Sequence, residues 1–157
     1  MKLKIKSLEE TQILGKQISK LISPKFTIAF NGELGAGKTT LISIILKNIG
    51  VIGNIKSPTY TLVEEYHVDD KNIYHFDLYR FNDPYEWVDS GFNEYFTSDS
   101  ICFIEWASKA DSLIPDIDWK LNITIVEDER FIEITALTDK GRECQERLMI
   151  LGASLLS

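Results

Sequence analysis

A chain of 157 residues, 44% hydrophobic and 26% charged, has the size and composition of one folded domain and not of a disordered or collagen-like polymer. Its mean hydropathy is -0.08, and no apolar run approaches the roughly 20 residues a bilayer-crossing helix needs. A net charge of -7 disfavours a protein that coats nucleic acid, since neutralising phosphates takes positive charge.

That charge is divided: residues 1–56 carry nine Lys against three acids, and residues 57–157 carry eight basic and 21 acidic residues. The first third can face phosphate and the rest suits a basic partner, unless both are ordinary solvated faces. Met1-Lys2-Leu3-Lys4-Ile5-Lys6 alternates charged and apolar side chains and lacks the core of a signal peptide, so a cytoplasmic location is expected. Cys102 and Cys144 form no disulfide framework and no metal-ligand spacing; both read as reduced thiols, with Cys102 in the core.

In chain order, Ser7-Leu8-Glu9-Glu10 has capping-box spacing ahead of Ile13, Leu14, Ile18, Leu21 and Ile22, which predicts an amphipathic helix over 8–22, stopped by Pro24. The apolar run 26–30 reads as a strand ending in Asn31-Gly32, and 40–47 as an apolar helix closed by Gly50. Runs 60–68 and 73–78, joined by Asp69-Asp70-Lys71-Asn72, read as an antiparallel hairpin. Asp83-Pro84 opens a short helix with Pro at its first position. A buried strand over 101–104, strands over 119–126 and 130–137, and a closing helix over 139–151 complete the series.

Gly32-Glu33-Leu34-Gly35-Ala36-Gly37-Lys38-Thr39 satisfies G-x-x-x-x-G-K-[ST] directly after a strand and at the opening of a helix. The four fixed positions arise by chance in roughly one chain in two hundred at ordinary residue frequencies, so a coincidental Gly-rich turn is the weaker reading. Glycines let successive N–H groups turn inward on a phosphate at the positive end of the helix. Lys38 supplies a cation to the β- and γ-phosphates, and the Thr39 hydroxyl a ligand to Mg²⁺.

Such a loop needs a carboxylate on a neighbouring strand. Glu105, after the apolar run 101–104, would reach the carboxyl edge of the sheet; Asp77 lies in His75-Phe76-Asp77-Leu78-Tyr79-Arg80, where period two puts His75, Asp77 and Tyr79 on one face. Glu105 is the expected Mg²⁺ contact through the water shell, with Asp77 as second metal contact or orienter of the attacking water. Arg80 and Arg130 are candidates to meet developing phosphate charge, or surface salt-bridge partners. His75 reads first as a hydrogen-bonding strand residue and second as a proton carrier, and Trp106 first as core and second as a contact under the nucleotide.

The ordered set of residues 32–40, Ser57-Pro58-Thr59-Tyr60-Thr61-Leu62-Val63-Glu64, His75-Phe76-Asp77-Leu78-Tyr79-Arg80 and Ile104-Glu105-Trp106 resembles the TsaE family, small bacterial P-loop ATPases needed to make threonylcarbamoyladenosine beside the tRNA anticodon. The resemblance spans residues 7–137. It implies a single P-loop ATPase domain over 1–157, an α/β fold with a mixed sheet flanked by helices and carrying an antiparallel hairpin. It further implies ATP on Leu34, Gly35, Ala36, Gly37, Lys38, Thr39 and Thr40; Mg²⁺ on Thr39 and Glu105; Asp77 as a catalytic or metal-site acid; Lys38 as catalytic; and Arg130 as a nucleotide contact. Ser57 to Tyr60 resembles the family's switch-like segment, and the adenine contact falls around Ser7 to Thr11. Ala107 stands where the family commonly has Pro, which leaves the loop after Glu105 less rigid. The implied partners are TsaB and TsaD, with tRNA reached through their complex, which TsaE resets between rounds. A small-molecule kinase is the alternative, but only four Arg are present to build a charge-neutralising lid, and no Asn-Lys-x-Asp guanine signature appears.

Overall fold

The computed structural model describes residues 1–152; the last five residues of the expected 1–157 span lie outside the described residues. Seven strands form one mixed sheet: β1 (Lys2–Ile5), β2 (Phe26–Asn31), β3 (Val63–Val68), β4 (Lys71–Asp77), β5 (Ser100–Glu105), β6 (Trp119–Val126) and β7 (Glu129–Ala136), in the order β1-β7-β6-β2-β5-β4-β3. The inner strands β6, β2, β5 and β4 run parallel, and the outer pairs β3/β4, β6/β7 and β1/β7 are antiparallel. Among the described residues four α-helices accompany the sheet: α1 (Leu8–Leu21), α2 (Lys38–Ile49), α3 (Glu86–Asp89) and α4 (Asp139–Gly152). This is the expected α/β class with its hairpin.

Pleating sorts each strand onto two faces. Phe26, Ile28, Phe30, Ile73, Ile101, Phe103, Trp119, Leu121, Ile132 and Ile134 pack under α1, α2 and α4 with Leu14, Ile18, Leu41, Ile45 and Leu148. Ala29, Phe76, Cys102 and Ile104 face the other way, into Trp87, Phe92 and Ile114 from the segments between β4 and β6. Cys102 is fully buried there, which pushes its thiol up to about 12 and leaves it inert.

Local chemistry accounts for the ends. Ser7 Oγ accepts from Glu10 N at 3.2 Å while Glu10 reaches back to Lys6 N at 2.6 Å, which fixes the start of α1. Glu127 and Asp128 both have positive φ, the requirement of a tight two-residue turn between β6 and β7. Buried Asp118 ties three elements together, accepting from Thr27 N at 2.9 Å and from the Thr138 hydroxyl at 2.6 Å, and Thr138 in turn accepts Gly141 N at the start of α4.

Several boundaries differ from the sequence expectation. β1 emerges from the alternating N-terminus by pairing Lys2 with Glu133 and Ile5 with Arg130. Strand β3 starts at Val63, not at 60: Leu62 takes φ 69 and donates its N–H to Pro58 O at 2.8 Å, closing 58–62 as a turn. Helix α2 starts at Lys38, two residues earlier than expected: Gly37 is its N-cap residue, and the Gly37 carbonyl accepts Leu41 N–H at 3.1 Å. Pro84 lies in the turn before α3, accepting from Trp87 N, instead of at the helix's first position.

Candidate functional site

The chain leaves β2 in the middle of the sheet, with β5 on one side and β6 on the other, and later strands go to both sides. Ligand crevices of open α/β sheets form at the carboxyl ends of strands where the topology reverses in this way. Residues 32–37 occupy that position and lead into α2. Gly32 adopts φ 152, and a Cβ there would stand 2.7 Å from Ile123 O, so the loop leaves β2 pressed against β6 backbone. A Cβ on Gly37, at φ 107, would meet the Arg130 guanidinium carbon at 3.3 Å. Gly35 faces open space.

Lys38 is buried, and its ammonium donates to Gly32 O and to Glu33 O, the latter at 2.9 Å, which curls the loop around its own cation. Burial lowers its pKa, opposed by the nearby Glu105 and Asp77 carboxylates. Trp106 meets its expected place only in part: half-buried, it packs against the second core layer, but in a left-handed conformation (φ 58) just past β5 that sets its ring centre 4.4 Å from the Lys38 ammonium.

The acids come from adjacent parallel strands in register, Asp77 opposite Glu105. Alternation carries Ile101, Phe103 and Glu105 onto the helix-facing side, so the apolar stripe ends in a carboxylate beneath the start of α2. There Glu105 accepts the Thr39 hydroxyl at 3.0 and 3.2 Å, and His75 Nε2–H at 2.7 Å. Asp77 accepts Tyr79 N at 2.9 Å and, loosely, the Thr59 hydroxyl at 3.4 Å. Desolvation raises the Asp77 carboxyl above its ordinary value, outweighing the Tyr79 amide that favours the charged form, with Glu105 adding to the rise and His75 and Thr59 opposing it. Tyr79 does not share the strand face of His75 and Asp77, because β4 ends at Asp77; it packs on Trp106 at 5.0 Å instead.

Arg130, on β7, reaches the loop at Gly37, and its Nε is buried without a hydrogen-bond partner among the described residues. It also lines a cavity of about 180 Å³ with Ile5, Lys6, Ser7, Ile125 and Asp128. Arg80 instead lies 4.3 Å above the exposed Tyr60 ring. A larger groove, about 1010 Å³, flanks the loop's outer side between Glu33, Leu34, Trp106, Lys120 and Asn122, and Lys38, Thr39, Asp77 and Glu105 do not line it. Leu34, Ala36 and Thr40 fall where the motif puts them, with Ala36 buried and Leu34 and Thr40 exposed. Sequence reasoning missed the His75–Glu105 bond, the Thr59–Asp77 contact and the placement of Lys38 under Trp106. The first two need strand register and loop closure, and the third a left-handed residue that nothing in Glu105-Trp106-Ala107 signals.

Hard oxygen donors suit Mg²⁺, and a hydroxyl and a carboxylate already in contact at the helix start fit it. Among the described residues no cluster of three or more His, Cys, Asp or Glu could hold a metal ion. Nor is any helix among them long and apolar enough to cross a membrane.

Sheet order, glycine loop and strand-end acids together define a mixed α/β fold of the P-loop type. The sequence matches the family described as "Threonylcarbamoyl adenosine biosynthesis protein TsaE" over residues 5–132, and the chain belongs to that family. It is 47% identical to the tRNA threonylcarbamoyladenosine biosynthesis protein TsaE of Haemophilus influenzae over 82% of this chain and 84% of that one. The Bacillus subtilis protein of the same name is 34% identical over 89% of this chain and 88% of its own length. The crystal structure of Bacillus subtilis YdiB superposes with a TM-score of 0.78 at 28% identity, covering 97% of this chain and 95% of that one. Membership of the TsaE family places the chain in threonylcarbamoyladenosine biosynthesis on tRNA.

Proposed function

We propose that this chain binds Mg-ATP on the loop 32–39 and hydrolyses it to ADP and phosphate, as the ATPase component of threonylcarbamoyladenosine formation. In this reading it acts with TsaB and TsaD, and tRNA is reached through that pair, which turnover resets between rounds. The observation that carries the reading is the Thr39 hydroxyl 3.0 Å from the Glu105 carboxylate, at the helix end that follows the glycine loop.

Main-chain amides of residues 34–39 receive the phosphate oxygens, helped by the positive end of α2. Lys38 exchanges the carbonyls of Gly32 and Glu33 for the β- and γ-phosphates, a low-cost exchange because its ammonium already stands inside the loop. Thr40 follows on the first turn of α2, and Arg130 brings its guanidinium to the nucleotide from beside Gly37. The small cavity at Ser7 and Arg130 offers the nucleoside a seat. Thr39 and Glu105 hold Mg²⁺, which when bound neutralises charge on the transferred phosphoryl group. Asp77 orients the attacking water, and its raised proton affinity suits it to share that proton.

Reconstituted tRNA modification with TsaB and TsaD tests the proposal. Omission of this chain, or its K38A variant, is expected to stop multiple-turnover product formation. Undiminished product would refute it, and phosphate transfer only to an added small acceptor would favour a kinase.

A further inference from the structure

His75 is fully buried on the helix-facing side of β4, opposite Glu64 of β3 and Phe103 of β5, where the apolar stripe of Ile73, Ile101 and Phe103 gives way to the Asp77 and Glu105 carboxylates. Among the described residues its Nδ1 has no hydrogen-bond partner. An imidazole with an unused nitrogen is a costly filler beside apolar side chains, so packing does not account for it. Its other nitrogen does: Nε2–H donates to Glu105 Oε2 at 2.7 Å, with both side chains out of water.

A carboxylate turns readily about its last bond. The Thr39 hydroxyl touches both Glu105 oxygens nearly equally, at 3.0 and 3.2 Å, and so does not select an orientation. His75 touches one oxygen only, which fixes the carboxylate plane and leaves Oε1 toward Thr39. We propose that His75 is a positioning residue that holds the Glu105 carboxylate in the orientation that meets the metal arriving with ATP. This rests on the Mg-ATP reading above. Outer hydrogen-bond partners of this kind typically change metal affinity by about tenfold to a hundredfold when removed.

Two variants separate orientation from packing. H75Q keeps an N–H near the position of Nε2, and H75M matches Gln in shape without a donor. ATP affinity is measured by calorimetry across a magnesium series and without magnesium, and histidine ¹⁵N spectra are recorded on the ligand-free wild type. H75M is expected to need about tenfold more magnesium for the same ATP affinity, with magnesium-free affinity within about twofold and most of the loss recovered in H75Q. The wild-type spectrum is expected to show a protected proton on His75 Nε2 that is lost in E105A, and this arm stands even where H75M fails to fold. A magnesium requirement in H75M like that of wild type, a loss that H75Q shares in full, or a His75 proton on Nδ1 would each overturn the proposal while leaving the Mg-ATP reading intact. Wild-type ATP binding indifferent to magnesium would overturn both.

Discussion

Replacing Glu105 by Gln and by Ala separates what this residue does for the fold from what it does for the chemistry. The carboxylate is 2% exposed and accepts two hydrogen bonds, one from the exposed Thr39 and one from the fully buried His75. In E105Q a carbonyl still receives His75 Nε2–H, and the new amide can donate to Thr39 Oγ1. Two charge-assisted bonds become neutral ones, a loss of about 2–3 kcal/mol in all. Against that, a buried charge is removed, which relieves a desolvation penalty of several kcal/mol. The two nearly cancel, so E105Q should lie within about 1 kcal/mol of the parent.

E105A leaves His75 with both nitrogens unpaired, about 1–3 kcal/mol, and opens a small void that brings the total to about 2–4 kcal/mol. For a chain of this size that is a fall of roughly 5–15 °C in Tm. Urea denaturation gives the stabilities, and phosphate release with TsaB and TsaD gives the activity, which should fall by about a hundredfold or more in both variants. An E105Q as unstable as E105A, or hydrolysis at the parental rate in either, would refute the reasoning.

D77N tests the raised carboxyl. Because the folded chain holds the Asp77 proton more tightly than the unfolded chain, Asp77 lowers stability as pH rises from its ordinary value of 3.8 through its raised value, and keeps it lowered above. D77N should therefore unfold at higher temperature than the parent at pH 7, with the gap closing toward pH 3, while its hydrolysis falls. D118A strips the acceptor from buried Thr27 N–H and from Thr138; it should cost about 2–4 kcal/mol in urea denaturation. A loss below about 0.5 kcal/mol would mean that this tie between β2, β6 and α4 is dispensable. Trp106 fluorescence should change when Mg-ATP draws the Lys38 ammonium from its ring, and the change should vanish in K38A; an identical response in K38A would contradict the contact's role.

The strand–loop–helix unit is legible because its glycines and Lys38 impose local backbone geometry, which needs no distant partner. Strand β1 is not, because four residues of alternating Lys and apolar side chains become a strand only by pairing with β7, some 130 positions away. The turn 58–62 hides behind β-prone Tyr60 and Thr61, whose local alternatives, including the Thr61 hydroxyl on Glu64 at 2.9 Å, prevail over ladder bonds. At the site, Thr39, Asp77 and Glu105 are visible one by one, from a motif and from the ends of apolar runs. Their partners are not. That His75 meets Glu105 follows from the parallel register of β4 on β5, and that Arg130 reaches Gly37 follows from the β6–β7 hairpin standing beside the loop.

Calorimetric titration of the chain with ATP, with and without magnesium and with and without TsaB and TsaD, bears most directly on the central claim. The account predicts one ATP bound per chain, tighter with magnesium and abolished in K38A. No heat of binding under any of these conditions, or binding unchanged in K38A, would contradict it.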